Sequence, residues 1–172
     1  GICLYDLATY CTVTGNVVRG VGTAATGAHG IYIGGRSTHH IIQGNHLFQV
    51  AGYGQAGDSC GIMIYRDGAT GDPSDLTIIG NELVNWKTAG IRDNHTQGNP
   101  LRRVIINGNS IHDCTAYSML VPFLQESIIT GNLIFGNGGG INGDTLLHTV
   151  ITGNHIYDNT GWGIIADYIA NA

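Results

Sequence analysis

Residues 127–134 read SIITGNLI and residues 149–156 read TVITGNHI, two near-copies 22 positions apart. In each, an aliphatic β-branched residue stands two before the glycine of Gly-Asn (Ile129, Ile151) and another aliphatic stands two after the asparagine (Ile134, Ile156). Four earlier copies keep the frame: Val13 and Val18 around Gly15-Asn16, Ile42 and Leu47 around Gly44-Asn45, Ile78 and Leu83 around Gly80-Asn81, and Ile106 and Ile111 around Gly108-Asn109. By subtraction of the glycine numbers the copies are 29, 36, 28, 23 and 22 residues apart. Such a period is that of structural repeats stacked into a solenoid. Gly98-Asn99 precedes Pro100 outside the frame and reads as loop.

A second signal follows each copy: a small residue, then an apolar run. It appears as Gly1-Ile2-Cys3-Leu4, Gly30-Ile31-Tyr32-Ile33, Gly61-Ile62-Met63-Ile64, Gly90-Ile91, Ser118-Met119-Leu120-Val121, Gly140-Ile141 and Gly163-Ile164-Ile165-Ala166. Each turn therefore has one strand at the Gly-Ile signal, a second running into Gly-Asn and a third after it. Successive turns stack in parallel about 4.8 Å apart, and about six turns fit the chain. The fold expected is all-β, a single parallel β-helix domain over 1–172.

Composition agrees. Lys87 is the only lysine and Glu82 and Glu126 the only glutamates, while glycine numbers 28 among 172 residues; long surface helices need the opposite. A net charge of −5 without a basic run argues against a nucleic-acid partner. No 18-residue apolar stretch is present to span a membrane, and no signal peptide opens the chain, which reads as a mature or excised form. Cys3, Cys11, Cys60 and Cys114 lack metal-type spacing; two disulfides and buried free thiols both remain open.

Period-2 alternation assigns the side chains. The aliphatics of the frame point in. The asparagines Asn16, Asn45, Asn81, Asn109, Asn132 and Asn154 fall at the bend, where asparagine tolerates left-handed geometry and where stacked amides hydrogen-bond as a ladder. Five residues before the glycines stand Tyr10, His39, Asp75, Arg103, Glu126 and His148. Their charges alternate from Asp75 onward, as stacked neighbours prefer.

The arrangement resembles the right-handed parallel β-helix superfamily, which includes pectate-lyase-like enzymes, mannuronan epimerases and phage tailspike depolymerases. The resemblance runs through the whole chain and implies that the Gly-Ile strands carry a polysaccharide groove opposite the asparagine bend. It also implies an extracellular, cell-surface or virion setting. The superfamily's Asp-Pro-His, Asn-Thr-Asp and Arg-Ile-Lys strings are absent.

On the Gly-Ile strands, the second and fourth positions after the small residue point out. The second reads Cys3, Tyr32, Met63, Arg92, Leu120, Asn142, Ile165, and the fourth Tyr5, Gly34, Tyr65, Asn94, Pro122, Asp144, Asp167. Tyr5, Tyr32, Asn94 and Asn142 are the expected sugar contacts, with aromatic faces against sugar rings and Arg92 against a uronate carboxylate. Two chemistries can be drawn. A lyase or epimerase needs a base and a cation beside an enolate-like charge, for which Tyr65, Arg66, Arg92 and His95 are suitable types. A glycosidase needs two carboxylates, for which Asp144 and Asp167 share a column. Asp67, Asp72 and Asp75 offer calcium oxygen ligands, but without an EF-hand pattern they read as a solvated acidic loop, so no cofactor is expected. Insertions at 21–29, 51–60, 67–74 and 94–100 lie beside the Gly-Ile strands, as binding-face loops do.

Two further features point to self-association, as a trimer or by end-to-end stacking. Thr12, Ile41, Thr77, Ile105, Ile128 and Val150 form an outward column, flanked on the third strand by Arg19, Phe48, Val84, His112, Phe135 and Tyr157. Monomers seldom expose such apolar stripes. The chain also starts inside a strand and stops at Ile169-Ala170-Asn171-Ala172 without a clear polar cap. A stalk, adhesin or filament subunit is therefore the rival to an enzyme.

Overall fold

The computed structural model describes residues 1–22, 27–50, 57–66, 73–94 and 99–170. Three parallel sheets wind around one core. The entry sheet, whose strands run into Gly-Asn, stacks Thr12–Thr14, Ile41–Gln43, Thr77–Ile79, Ile105–Asn107, Ile128–Thr130 and Val150–Thr152. The exit sheet stacks Val17–Arg19, His46–Phe48, Glu82–Val84, Ser110–His112, Leu133–Phe135 and His155–Tyr157. The long sheet stacks Ile2–Leu4, His29–Gly34, Cys60–Tyr65, Ala89–Asp93, Tyr117–Leu120, Gly139–Leu147 and Ile164–Ala170, numbered here as rungs one to seven. This is the parallel β-helix expected, with three sheets and about six turns. A further ladder follows the long sheet and aligns Thr9, Thr38, Ser74, Arg102, Gln125, Leu147 and Ala170, turning the chain back towards the entry sheet.

The register follows the aliphatic frame: Val13, Ile42, Ile78, Ile106, Ile129 and Ile151 pair in sequence, as do Val18, Leu47, Leu83, Ile111, Ile134 and Ile156. Between Ile42 and Ile134 these side chains are fully buried and meet Ile31, Ile33, Ile62, Ile64 and Ile91 from the long sheet. Each contributes about 1.5–3 kcal/mol by leaving water. Trp86, the largest fully buried side chain, closes the corner between exit and long sheets and donates its indole N–H to the Leu47 carbonyl at 3.0 Å. The small residue of the second signal is a steric requirement at that same corner. A Cβ on Gly61 would stand 2.5 Å from Leu83 Cδ2 and 2.6 Å from the Gly90 carbonyl oxygen.

The asparagine bend is a continuous ladder. Each side-chain amide donates to the Oδ1 of the next asparagine, from Asn16 through Asn154, at 2.8–3.0 Å. The same Oδ1 accepts the preceding asparagine's backbone N–H, and each amide from Asn45 onward also donates back to a frame carbonyl, as Asn109 does to Ile78 at 2.9 Å. Backbone geometry corrects one expectation. The left-handed residue is the glycine, with φ of 60–65° at Gly15, Gly44, Gly80, Gly108, Gly131 and Gly153, and none of the ladder asparagines has positive φ. The glycine makes the turn, which frees the asparagine to point inward and bond.

Two other corners were not anticipated in this form. The charged column is itself left-handed, with φ between 47° and 59° at Tyr10, His39, Asp75, Arg103, Glu126 and His148. Arg103 donates to Asp75 at 2.5 and 3.0 Å and lies 3.8 Å from Glu126, while Tyr10 stacks on His39 at 4.7 Å. The Arg103 hydrogen bonds hold the Asp75 carboxyl down to about 2. Gly136-Asn137 starts a second ladder: Asn137 Oδ1 accepts from the Cys114 N–H at 2.9 Å, and the Asn137 amide donates to Asn159 Oδ1 at 3.0 Å. In that column Trp86, Cys114, Asn137 and Asn159 succeed one another, so the corner changes from apolar to amide as the insertions end.

Candidate functional site: the outer face of the long sheet

The long sheet carries most of the expected site residues, but divides them. Tyr5, Tyr32 and Tyr65 meet across rungs one to three, with ring centroids 6.2 and 5.7 Å apart and planes tilted by 33° and 30°. Gly34 makes this zigzag feasible, since a Cβ there would lie 2.6 Å from Tyr32 Cε1 and 2.9 Å from Tyr5 Cδ2. Tyr32 lies between the other two rings, so the three form a tilted stack rather than the row of separate open faces that sequence reasoning expects. Tyr5 is 51% exposed and Tyr65 37%.

Beside the tyrosines lies a cluster that the repeat frame does not contain. His29 packs its ring 5.8 Å from Tyr32. Burial pushes its pKa below the ordinary histidine value, against the Asp58 carboxylate and with help from the Arg92 guanidinium. Burial thus favours the neutral imidazole. Arg92, on rung four, forms an ion pair with Asp58; its side chain is 21% exposed and that of Asp58 57%. Lys87 stands one rung beyond Asp58, because the Thr88 N–H bonds to the Ser59 carbonyl at 3.0 Å. Arg92 consequently already has a carboxylate partner, in place of the open guanidinium expected for a uronate.

Asn94 anchors the end of this cluster, its Oδ1 accepting the Arg66 backbone N–H at 2.7 Å. Met63, expected to project outward, is buried between its register neighbours Tyr32 and Arg92. Cys60 is buried as well, and burial pushes its thiol up to about 12, which removes it as a nucleophile. Asp93 follows Arg92 in the inward column, aligned with Ile64, and is buried. His95, Asp67 and Asp72 lie outside the described residues, as do most of the insertions; Asp75 is engaged by Arg103 and Ser74. All four cysteines are free thiols.

Asn142 lies on rung six, aligned with Leu120 and Ile165. Asp144 and Asp167 face each other across rungs six and seven, between the pairs Gly143↔Ala166 and Thr145↔Tyr168, and both are exposed. Two rungs separate Asp144 from Arg92, about 10 Å along the stack. The lyase-type and glycosidase-type residues thus form two clusters, one on rungs three and four and one on rungs six and seven. The missed members of the first are His29 and Asp58. Their sequence signal is position: His29 directly precedes Gly30 and Asp58 lies three before Gly61, each at the end of an insertion, 21–29 and 51–60.

The other faces differ in character. The entry sheet presents Ile41, Ile105, Ile128 and Val150 at 40–46% exposure, as expected. The exit sheet presents stacked rings, His112 on Phe135 at 4.7 Å and Phe135 on Tyr157 at 5.3 Å, together with Arg19 over Phe48 at 5.4 Å. Glu82 lies 3.4 Å from His46 and 3.6 Å from His112, which in turn contacts Asp113 at 2.9 Å. That face is therefore more polar than the stripe expected from its aromatics.

These features define a parallel β-helix with a polar, aromatic outer face on its long sheet. The chain belongs to the right-handed beta helix family, whose profile, described as right handed beta helix region, matches residues 29–171. No curated protein matches it. Among solved structures, trypsin-treated QnrB1, a plasmid-mediated fluoroquinolone resistance protein, aligns over 84% of this chain and 91% of its own at 9% identity, with a TM-score of 0.18; so low a score carries no argument.

Proposed function

We propose that the chain is the glycan-engaging solenoid of an extracellular or virion-borne polysaccharide-degrading protein, with the polysaccharide lying along the outer face of the long sheet. The observation that carries this reading is the Tyr5–Tyr32–Tyr65 stack, seated over Gly34 and flanked by His29 and the Arg92–Asp58 pair. Phenols, an ion pair and amides from Asn94 and Asn142 supply donors and acceptors in the mixed pattern that sugar hydroxyls need. Of the two chemistries, hydrolysis finds its carboxylates in Asp144 and Asp167, whereas lyase or epimerase action would fall to Tyr65, Arg66, Arg92 and His95.

Affinity electrophoresis through gels containing a panel of polysaccharides tests this directly. Retardation of the wild type by at least one glycan, lost in Tyr32→Ala/Tyr65→Ala, is the expected result. Equal retardation of both proteins, or retardation by none, refutes it.

A second reading, a structural solenoid that self-associates, is favoured by the entry sheet. Its twelve outward positions from Thr12 to Thr152 carry no charged side chain and expose Ile41, Ile105, Ile128 and Val150. Light scattering across a concentration series separates the two: growing polymers blocked by Ile105→Lys/Ile128→Lys support assembly, and a discrete species indifferent to those changes removes it.

A further inference from the structure

We propose that the outer face of the long sheet selects an uncharged polysaccharide, recognised through its hydroxyl groups, and that Asp58 is the residue that sets this choice. The inference rests on the glycan-binding reading above and specifies its substrate class. Its basis is the Arg92–Asp58 ion pair. A guanidinium that must grip a uronate has its donors open towards solvent, because a carboxylate is best held by two parallel N–H···O bonds. Here Arg92 is mostly buried and faces a carboxylate from its own chain. A uronate approaching it would sit against the Asp58 charge, and like charges in a partly desolvated site repel.

The rest of the face agrees. In the outward columns Arg92 is the one cation among the described residues, and it already faces Asp58. His29 adds no charge at neutral pH, since burial lowers its pKa. Beyond rung four the charged side chains in the outward columns are the exposed carboxylates Asp144 and Asp167. A polyuronate lying along the stack would therefore meet a neutralised cation first and unaccompanied carboxylates two rungs on. A neutral glycan meets Tyr hydroxyls, amides and the Arg92–Asp58 pair, whose donors and acceptors suit hydroxyl groups.

The test uses matched pairs of one backbone with and without charge: polygalacturonate and its methyl ester, alginate and its propylene glycol ester, carboxymethylcellulose and hydroxyethylcellulose. The wild type is expected to bind the uncharged member of at least one pair more tightly than its charged partner. In Asp58→Asn, Arg92 loses this carboxylate partner, and binding of the charged member should strengthen about tenfold, a gain that should vanish again in high salt. Asp58→Asn/Arg92→Gln should lose that gain. Tighter binding of a charged member by the wild type overturns the proposal but leaves glycan binding intact. An Asp58→Asn protein that melts like the wild type yet shows no relative gain overturns the role of Asp58. Binding of neither member of any pair removes the underlying reading as well.

Discussion

The asparagine corner and the outer face of the long sheet are built by the same turns on opposite principles. At the corner every turn contributes the same residue, and each amide is consumed by the next: Asn109 donates to Ile78, Asn107 and Asn132 and accepts from Asn81. On the outer face the successive residues of one column are Cys3, Tyr32, Met63, Arg92, Leu120, Asn142 and Ile165, no two alike. Repetition satisfies the backbone and the buried polar groups; its absence marks the surface that is free to meet something else. A change at one place should therefore leave the other untouched.

The largest separation should come from the core beneath both. Trp86→Ala removes the biggest buried side chain and the Leu47 hydrogen bond, and should cost about 4 kcal/mol in urea denaturation. Asn109→Ala removes the Oδ1 that accepts the Asn81 backbone and side-chain N–H groups, together with its own amide's bonds to the Ile78 carbonyl and Asn132, for about 3 kcal/mol. Asn16→Ala, at the more exposed first rung with fewer bonds, should cost about 1 kcal/mol. Equal costs at Asn16 and Asn109 would mean that the ladder is not what holds the corner.

A smaller effect separates the corners by turn geometry. Gly108 sits at φ 62°, and a Cβ there would meet nothing within 4 Å, so Gly108→Ala is strained without being crowded and should cost about 1–2 kcal/mol. Thermal melts of that variant beside Gly61→Ala, where the obstacle is Leu83 and the Gly90 carbonyl, distinguish dihedral strain from steric exclusion. Gly61→Ala should be the worse.

The smallest change is set by pH. Burial lowers the pKa of His40, whose Nδ1 accepts the Cys11 N–H at 3.1 Å, and of His29. A histidine whose folded pKa is depressed binds its proton more readily when unfolded. Its stabilisation is fully present above the unfolded value of 6.5 and is lost as pH falls from there towards the folded pKa. The urea midpoint should thus drop between pH 7.5 and pH 5, and His40→Leu, which continues the buried column of Leu76 and Val104, should flatten that slope. Asp75 adds a second acid step, its contribution present above 3.8 and lost as pH falls towards about 2. A midpoint that rises on acidification contradicts both assignments.

How much of this was legible follows the same division. Aliphatic-x-Gly-Asn-x-aliphatic was enough to place every frame residue from Val13 to Ile156 in register, because a one-residue slip would turn the whole hydrophobic set outward. It also put Tyr5, Tyr32, Tyr65 and Arg92 on one face. What it could not show were features that do not repeat. Arg92 meets Asp58 from 34 residues upstream (92 − 58), and no periodic pattern links them. The left-handed column held by Tyr10, Arg103 and Glu126 is invisible because these residue types carry no preference for positive φ. The second ladder was visible in Gly136-Asn137 but begins only on the fifth turn, where the corner ceases to be apolar.

The central claim is that the outer face of the long sheet does the work while the repeating corners hold it in place. Its most direct test is Tyr32→Ala/Tyr65→Ala, measured at once for thermal stability and for retardation in glycan gels. The account predicts a melt close to the wild type, since both side chains lie on the outer face, with glycan retardation abolished. Retardation that survives in a fully folded double variant would contradict it.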